Sequence, residues 1–543
     1  MRRDLLAALA AVICLLAACG PVQTPALILT QPPAATIAPP LTPQPATPAS
    51  VPDPTSPPLA TEAAPSASGT PASAFDAAAW DWNDRSPFSA GLAESEVEML
   101  AQLWAAPLYV LEFEIAADLT SLAGQATVYY TNQETVPLDE IWFHLHPNLL
   151  GGSLAVVNVT LGADQAVSVD YAPGETALRV PLAEALLPGA QVVVRMDFAV
   201  QVPTTLERNY GVLAATDGIL ALAHFYPMLA VYDDEGWNIE PPAPRGDITY
   251  ADASFFVVSV RAPASVVVAA AGRRVETATS AGQTTSTYLA GPARDFYLAA
   301  SADFTLVSAA WGEVQLNSYA PAHRAAAAED VLDFAAAALE TFTARYGPYP
   351  YTELDFVAIP TLALGIEYPG MIALNRDLYD PAATFGSTPV EVILESTTVH
   401  EVGHQWFYNV VGNDQLDEPW LDESLTQYAT WRYYLDQYGP GGEEGFGQAL
   451  DSRWARVDRA FIPIGLPVSG YTDLEYGAIV YGRGPFFFDE LAEQMGEPAM
   501  DAFLRDYTRQ FRWGIVTGGD LKALAETFCN CALDEAFAEW VWP

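Results

Sequence analysis

The most informative segment of this 543-residue sequence is His400-Glu401-Val402-Gly403-His404. In an α-helix, residues four apart lie one above the other, so both imidazoles can bind the same metal ion. Glu401 then lies beside the first histidine, where it can take a proton from a water on the metal instead of binding the metal itself. With six histidines in the whole chain, an accidental match is rare, although such motifs do produce false positives. The segment predicts a zinc site with Glu401 as general base.

The residues before this segment predict that it lies on a helix running from Thr388 to Val411. Thr388 suits the N-cap, Pro389 the first helical position and Glu391 the reciprocal capping-box position. Glycine at residue 403, inside this helix, lowers helix stability by roughly 0.5–1 kcal/mol relative to alanine. Because a glycine leaves room for a neighbouring element, we expect close packing at that turn.

A catalytic zinc site needs a third protein ligand and one position left for water. Glu423 follows His404 by nineteen residues, in the context Trp420-Leu421-Asp422-Glu423-Ser424. It stands at the predicted start of the next helix, from which a ligand can reach across a groove.

Together these features resemble the gluzincin family of aminopeptidase N and leukotriene hydrolase. That family has an HExxH motif, eighteen further residues and a glutamate in a Trp-Leu-x-Glu context. Three more segments are similar to its exopeptidase motif, to the segment of its catalytic tyrosine and to its N-terminal domain. They are Gly365–Gly370 (GIEYPG), Val480–Gly484 (VYGRG) and Tyr130–Asn148.

The resemblance implies a thermolysin-like catalytic domain that binds one zinc ion per chain, with Glu423 as the third ligand. It also implies that Tyr481 stabilises the oxyanion and that Gly365 and Glu367 bind the substrate, with Glu367 on its free α-amino group. The expected substrates are peptides with a free N-terminus. Two alternatives remain open at these positions: Tyr481 could be a core residue with Tyr476 in its role, and Glu367 could cap the turn that follows it.

The chain departs from the family pattern beside the third ligand and in the exopeptidase motif. Ser424 stands where the family usually has glycine, Leu364 where it has glycine, and Ile366 where it has methionine. These changes concern substrate preference more than metal binding. The sequence ends soon after Tyr481, so we expect the helical C-terminal domain of larger members to be absent and the substrate chamber to be more open.

The N-terminus has the layout of a bacterial lipoprotein signal. Residues 1–18 combine two arginines with a short apolar run, and Leu16-Ala17-Ala18-Cys19 resembles a lipobox. Cys19 is therefore the predicted lipidation site, and a plain signal peptide or an uncleaved anchor is the alternative. Residues 19–74 are rich in Pro, Ala, Thr and Ser and predict an extended linker. We expect an extracytoplasmic protein held at the cell membrane.

Acidic residues dominate the charged composition, with 67 Asp and Glu against 23 Lys and Arg and a net charge of −44. Such a surface repels phosphates, so nucleic acid is excluded as a partner. The acidity fits either cationic substrates or adaptation to a saline or acidic habitat. The four cysteines of the chain are too few for a disulfide scaffold. Cys529 and Cys531 predict either two buried or turn-located thiols or a strained bridge.

The predicted architecture is a multidomain α+β protein. Residues 75–311 form a β-sandwich or saddle-like domain, and residues 312–543 form a mainly helical, thermolysin-like catalytic domain. In the first of these, His144, His146 and His224 are expected to make ordinary hydrogen bonds, because no third metal ligand stands near them in sequence. The predicted strands are Leu108–Ile115, Ala126–Tyr130, Glu140–His146, Gln191–Val200 and Phe255–Val260, and the other predicted helices are Ala322–Tyr346, Glu423–Gln437, Pro485–Glu493, Pro498–Arg509 and Leu521–Phe528.

The sequence thus favours a zinc aminopeptidase. Three alternatives stay open: a zinc endopeptidase, a zinc hydrolase that acts on something other than peptides, and an inactive relative kept as a surface binding module.

Overall fold

The computed structural model describes residues 81–162, 165–386 and 388–542. The predicted signal peptide (1–18), the lipidation site Cys19 and the predicted linker (19–74) lie outside these residues. None of the helices in the described ranges combines the length and the apolar composition that crossing a bilayer needs.

The N-terminal half of the described chain is built from strands. Successive side chains of a strand point to opposite faces, and the alternating apolar residues of this half are buried accordingly, as in Leu138–His144. The predicted strand Leu108–Ile115 has the observed bounds. The strands of this half are β1 Leu108–Ile115, β2 Ser121–Thr131, β3 Leu138–His144, β4 Ser153–Leu161, β5 Gln165–Ala166, β6 Asp170–Tyr171, β7 Ala177–Leu186, β8 Gln191–Gln201, β9 Leu213–Thr216, β10 Ile219–Leu222, β11 Met228–Leu229, β12 Tyr232–Asp233, β13 Gly236–Trp237, β14 Ser254–Pro263, β15 Val267–Ala270, β16 Arg273–Ser280, β17 Gln283–Ala293 and β18 Leu298–Ser301.

Three sheets of this half share one apolar core. The largest has eight strands in the order β16-β17-β14-β1-β2-β8-β4-β5, and two four-stranded sheets have the orders β15-β18-β10-β9 and β11-β3-β7-β6. Phe113 of β1, Val180 of β7 and Leu220 of β10 all belong to the same buried cluster. The predicted β-rich N-terminal half is therefore confirmed.

The C-terminal half contains one further large sheet, with five strands in the order β19-β20-β21-β23-β22. Its first strand lies before residue 312, so the sheet spans the predicted domain boundary, and that boundary stays a prediction. The edge strand β22 carries two of the predicted site residues, Gly365 and Glu367. The strands of this half are β19 Phe304–Trp311, β20 Val314–Pro321, β21 Glu353–Ile359, β22 Gly365–Tyr368, β23 Met371–Asn375, β24 Thr384–Phe385 and β25 Thr388–Pro389.

Helices make up most of the remaining C-terminal half, which confirms the predicted fold class. A π-helical turn, Ile479–Arg483, joins α5 directly to α6. The α-helices of the described residues are α1 Ala325–Tyr346, α2 Val390–Gly403, α3 Glu423–Tyr438, α4 Pro440–Trp454, α5 Asp473–Ala478, α6 Gly484–Met495, α7 Glu497–Gln510, α8 Gly518–Cys529 and α9 Asp534–Trp540.

Both predicted ends of the helix that carries the HExxH motif are wrong. Thr388 does not cap α2, because its backbone pairs with Phe385 in the short β24–β25 ladder, and no side chain caps this end. Helix α2 ends at Gly403, not at Val411. The chain leaves the helix there and turns back, with Tyr408 at a φ of 114° that no α-helix contains.

Three helices were missed by the sequence interpretation: α4, α5 and α9. Helix α4 opens with Pro-Gly-Gly and has two more glycines in its first half, a composition typical of loops. The other two have only six and seven residues, too short for a periodic pattern to emerge.

A buried arginine joins the two halves. Arg294, which directly follows β17, is 1% exposed. Its guanidinium donates to the carbonyl oxygens of Tyr408 and Gly514 at 2.7 and 2.6 Å. In its own half it donates to the carbonyl oxygen of Ala251 at 2.9 Å.

Cys529 and Cys531 form a disulfide bridge at the end of α8, which is one of the two predicted alternatives.

Candidate metal centre

Two helices bring the three predicted metal ligands together. His400 and His404 lie at the C-terminal end of α2, and Glu423 is the first residue of α3. The Nε2 atoms of His400 and His404 are 3.1 and 3.3 Å from Glu423 Oε2. These two nitrogens are 3.1 Å apart, and all three side chains are buried. The ligating atoms therefore converge on one point.

Gly403 allows the two helices to approach this closely. A Cβ at residue 403 would lie 2.8 Å from Thr426 Cγ2 of α3 and 3.6 Å from the ring of Phe342 of α1. The close packing expected from a glycine inside the helix is therefore present, and it falls between the two histidines.

The donor set fits a zinc ion. One atom each of His400, His404 and Glu423 lies within 4.8 Å of the others, and two imidazoles with one carboxylate are a known catalytic zinc set with one open position. His404 Nδ1 is 3.0 Å from the carbonyl oxygen of Phe407, which assigns the N–H to Nδ1 and leaves the Nε2 lone pair for the metal. Glu367, His404 and Asp422 form an overlapping group, but it offers only one nitrogen.

The electrostatics of the site also favour a cation. Burial lowers the pKa of His400 to about 4, which keeps its imidazole neutral and able to bind metal. Burial alone would raise the pKa of the Glu423 carboxyl, but His404 and His400 hold that pKa below its usual range. For His404, burial is outweighed by Glu367 and Glu423, which raise its pKa well above the usual value.

Glu401, the predicted general base, is 1% exposed and lies in a tight space. Its Oε1 atom has no hydrogen-bond partner among the described residues. A Cβ on Gly365 would lie 2.5 Å from that oxygen. Burial, reinforced by the charges of Glu367 and Glu423, raises the pKa of Glu401 well above its usual value. Gly365 of β22 thus provides the space that Glu401 occupies.

Glu367 lies on β22 and is 4% exposed. Its Oε1 accepts a hydrogen bond from Gln415 Nε2 at 3.2 Å, and the same amide donates to Asp422 Oδ2 at 2.8 Å. The turn that follows is held by another residue, Gln405, whose Oε1 accepts from the Gly370 N–H at 2.9 Å. The hydrogen bonds of Glu367 therefore point to the site and not to the alternative of a turn cap.

The hydroxyl of Tyr481 reaches the predicted metal ligand Glu423. This tyrosine lies in the π-helical turn, is 1% exposed and donates to Glu423 Oε1. The ring of Tyr476 is 5.7 Å from that of Tyr481. The Tyr476 hydroxyl lies beside Gly246, where a built Cβ would be 3.0 Å from it. This geometry favours Tyr481 over Tyr476 as the oxyanion donor.

Sequence reasoning missed Gln415, described above, and Asp247. Asp247 comes from the segment between β13 and β14, and its Oδ2 atom has no hydrogen-bond partner among the described residues. Burial and the charges of Glu367, Glu423 and Asp422 raise its pKa well above the usual value. No motif surrounds Asp247, so only the fold could reveal its position.

The remaining histidines do not form a second centre in the part of the chain that the structure describes. The rings of His144 and His146 stack at 4.8 Å. His224 Nδ1 lies 2.8 Å from Asp295 Oδ2, and its Nε2 makes the expected kind of hydrogen bond, with Thr249 Oγ1 at 3.4 Å.

Residues 331–540 match the model of the peptidase family M1 domain. Among curated relatives, "Aminopeptidase 2" of Candida albicans is 28% identical over 204 residues, covering 36% of this chain and 22% of that protein. "Aminopeptidase M1" of Arabidopsis thaliana is 26% identical over 239 residues, covering 42% of this chain and 26% of that protein. This chain therefore spans about a quarter of the length of these relatives.

Solved structures match over a larger share of the chain. The M1 zinc metallopeptidase from Deinococcus radiodurans has a TM-score of 0.61 at 20% identity, covering 80% of this chain and 93% of that one. A variant of a two-domain M1 zinc metallopeptidase, bound to L-arginine, has a TM-score of 0.62 at 19% identity, covering 81% and 94%. At this identity the likeness shows a shared fold, with a β-rich half followed by a helical half.

Proposed function

We propose that this chain is a zinc aminopeptidase of peptidase family M1, because its residues 331–540 match the domain of that family. The observation that carries the proposal is the convergence of His400, His404 and Glu423 beside two further buried carboxylates, Glu401 and Glu367. Three ligands leave one position for the reacting groups, and the two carboxylates supply a base and a cation-binding group.

Each side chain of the site has a distinct part in the proposed reaction. Zinc, when bound, supplies Lewis acidity that lowers the pKa of a water molecule and polarises the scissile carbonyl. Glu401 takes the proton of the attacking water and passes it to the leaving amine nitrogen. Tyr481 turns its hydroxyl from Glu423 to the developing oxyanion and stabilises it by a hydrogen bond.

Glu367 gives the site its proposed preference for free N-termini. A buried carboxylate pairs well with the α-ammonium of a peptide, whereas an acetylated amine leaves the carboxylate without a counter-charge. This pairing would hold the substrate with its first peptide bond within reach of Glu401. Related structures support peptide substrates: one M1 zinc metallopeptidase variant is bound to a Tyr-Ser-Ala substrate, and others are bound to L-arginine and L-tryptophan.

The test compares free and N-acetylated peptides on zinc-loaded and chelator-treated protein. Free peptides are expected to lose one residue at a time, and a chelator should stop the reaction until zinc is restored. Glu367→Ala should lower kcat/KM for free peptides by about 10²-fold or more, as expected when one partner of a buried charge pair is removed. Glu444→Ala, at an exposed glutamate of α4, is the matched control and should change nothing.

Each alternative function has its own outcome in this test. Cleavage of acetylated peptides at internal bonds, independent of Glu367, would make the protein an endopeptidase. Zinc binding without cleavage of any peptide would leave a non-peptide hydrolase or a binding module.

We also propose that the protein is exported and held at the cell membrane by a lipid on Cys19. The support is the signal-like sequence of residues 1–18 and the lipobox-like Leu16–Cys19. Cys19→Ser should abolish lipid labelling and leave an active protein that no longer partitions into membranes. Unchanged partition after signal cleavage would contradict this anchor.

A further inference from the structure

The π-helical turn that carries Tyr481 leaves one backbone oxygen without a helical donor. In a regular α-helix the carbonyl of Val480 would accept from the N–H of Gly484. That N–H donates to the carbonyl oxygen of Ile479 instead, five residues back. The next donor along the turn would be residue 485, which is a proline and has no N–H. The helix therefore offers Val480 no partner.

Ser424 supplies the missing donor from the neighbouring helix. Its hydroxyl donates to the carbonyl oxygen of Val480 at 2.6 Å, and this bond is buried. Gly484 makes room for it: a Cβ at residue 484 would lie 2.0 Å from Ser424 Oγ and 2.6 Å from Ser424 Cβ. Since a buried carbonyl without a partner is costly, the hydroxyl of Ser424 stabilises the π geometry at this point.

The same hydrogen bond orients Tyr481. The carbonyl of Val480 and the N–H of Tyr481 belong to one planar peptide group, so a donor on that oxygen fixes the plane from which the tyrosine side chain leaves the backbone. Ser424 directly follows the ligand Glu423, to which the Tyr481 hydroxyl donates. The backbone of α3 thus links the metal ligand to the group that holds the tyrosine.

We propose that Ser424 is a positioning residue that sets the place of the Tyr481 hydroxyl relative to the metal ligands. The inference rests on the proposed function, because it concerns the proposed oxyanion donor. Ser424 itself touches neither the substrate nor the metal in this scheme, and it acts only through Tyr481.

The first test is Ser424→Ala in the zinc-loaded protein. A displaced donor is expected to lower kcat by about 10-fold to 10²-fold, with KM and zinc content little changed. Thr430→Ala is the matched control on α3, where a buried hydroxyl donates at 2.8 Å to the carbonyl of Thr426, one turn back in the same helix. That carbonyl keeps its helical partner, so kcat should stay close to that of the unsubstituted protein.

Two double variants separate positioning from a general structural effect. In a Tyr481→Phe background, Ser424→Ala should have no further effect on kcat, because the group that it positions is already gone. Pro485→Ala gives the turn an N–H that can reach the carbonyl of Val480. Added to Ser424→Ala, it should therefore restore folding, if that was impaired, and most of kcat.

The variants decide whether Ser424 positions Tyr481. Full activity of Ser424→Ala, an equal loss in the Tyr481→Phe background, or a Ser424→Ala/Pro485→Ala protein no better than Ser424→Ala would each overturn the inference. Full activity of Tyr481→Phe would contradict the proposed role of Tyr481 and the inference with it. A large loss in Tyr481→Phe with none in Ser424→Ala would contradict the inference alone.

Discussion

Glu401, the proposed general base, is buried and lies against Gly365. A side chain on residue 365 would displace it, because a Cβ there would lie 2.5 Å from Glu401 Oε1. Glu401→Gln keeps the size of the side chain and removes the base. We expect zinc content to stay at one ion per chain and kcat to fall by about 10²–10⁴-fold, the usual contribution of a general base. A Glu401→Gln variant as active as the original protein would contradict the mechanism.

The two neighbouring tyrosines should differ sharply when their hydroxyls are removed. Tyr481 donates to Glu423 at the metal site, whereas the Tyr476 hydroxyl lies beside Gly246. Tyr481→Phe should lower kcat by about 10²–10³-fold with little change in KM, as loss of an oxyanion donor does. Tyr476→Phe is the natural control and should be milder. The reverse order would assign the role to Tyr476.

At the scale of residues, the sequence revealed the groups that follow a local rule. The spacing of His400 and His404 is dictated by the helical repeat. Glu423 stands in a recognisable motif. Gln415 and Asp247 follow no such rule: each reaches the site only because of how a loop folds back on it. Their positions needed three-dimensional information.

At the scale of elements, the presence of a helix was easier to predict than the residues at which it begins and ends. Helix α2 was expected from its motif, but its N-terminus was misplaced because Thr388 pairs with Phe385, a contact between chain segments that no capping rule contains. Helix α4 was missed because its glycines are typical of loops, yet Phe446 and Leu450 are buried and hold it in place. Tertiary packing overrode local preference in both helices.

Helix α2 should tolerate alanine at Gly403 badly, although alanine is the better helix former. The new methyl group would lie 2.8 Å from Thr426 Cγ2. We expect Gly403→Ala to lower the free energy of unfolding by about 1–2 kcal/mol, the net of overpacking and helix propensity. Gly477→Ala in α5, where no atom lies within 4 Å of the built Cβ, should raise it by about 0.5–1 kcal/mol. Urea unfolding of both zinc-loaded variants makes the comparison, and a stabilised Gly403→Ala would contradict the packing argument.

At the scale of the whole molecule, the β-rich and helical halves depend on Arg294. Arg294→Ala would remove the buried donor to the carbonyls of Tyr408 and Gly514 and leave them unsatisfied. We expect the free energy of unfolding to fall by about 3 kcal/mol or more. Arg459→Ala, which removes an exposed ion pair with Asp451, should cost at most about 1 kcal/mol. Equal effects would mean that Arg294 does not join the halves.

The sequence predicted the change from strands to helices because side-chain alternation and helical periodicity are local signals. It did not predict the order of the strands. β1 pairs with β14, which lies far along the chain. No pattern within either strand indicates this pairing. The five-stranded sheet likewise takes β19 from before the predicted boundary and its other four strands from after it. Such pairings depend on which surfaces remain to be covered after local structure has formed.

Ser424, Gly484 and Pro485 can be exchanged by evolution only in a restricted order. A Cβ at residue 484 would lie 2.0 Å from Ser424 Oγ and 2.6 Å from Ser424 Cβ, so a side chain there becomes acceptable only after Ser424 has been replaced by glycine. Loss of Ser424 in turn leaves the carbonyl of Val480 unpaired until residue 485 regains an N–H. The permissive path therefore starts at Pro485, passes through Ser424 and reaches Gly484 last. Homologues should show this epistasis as covariation, with proline at 485 found only where a hydroxyl stands at 424.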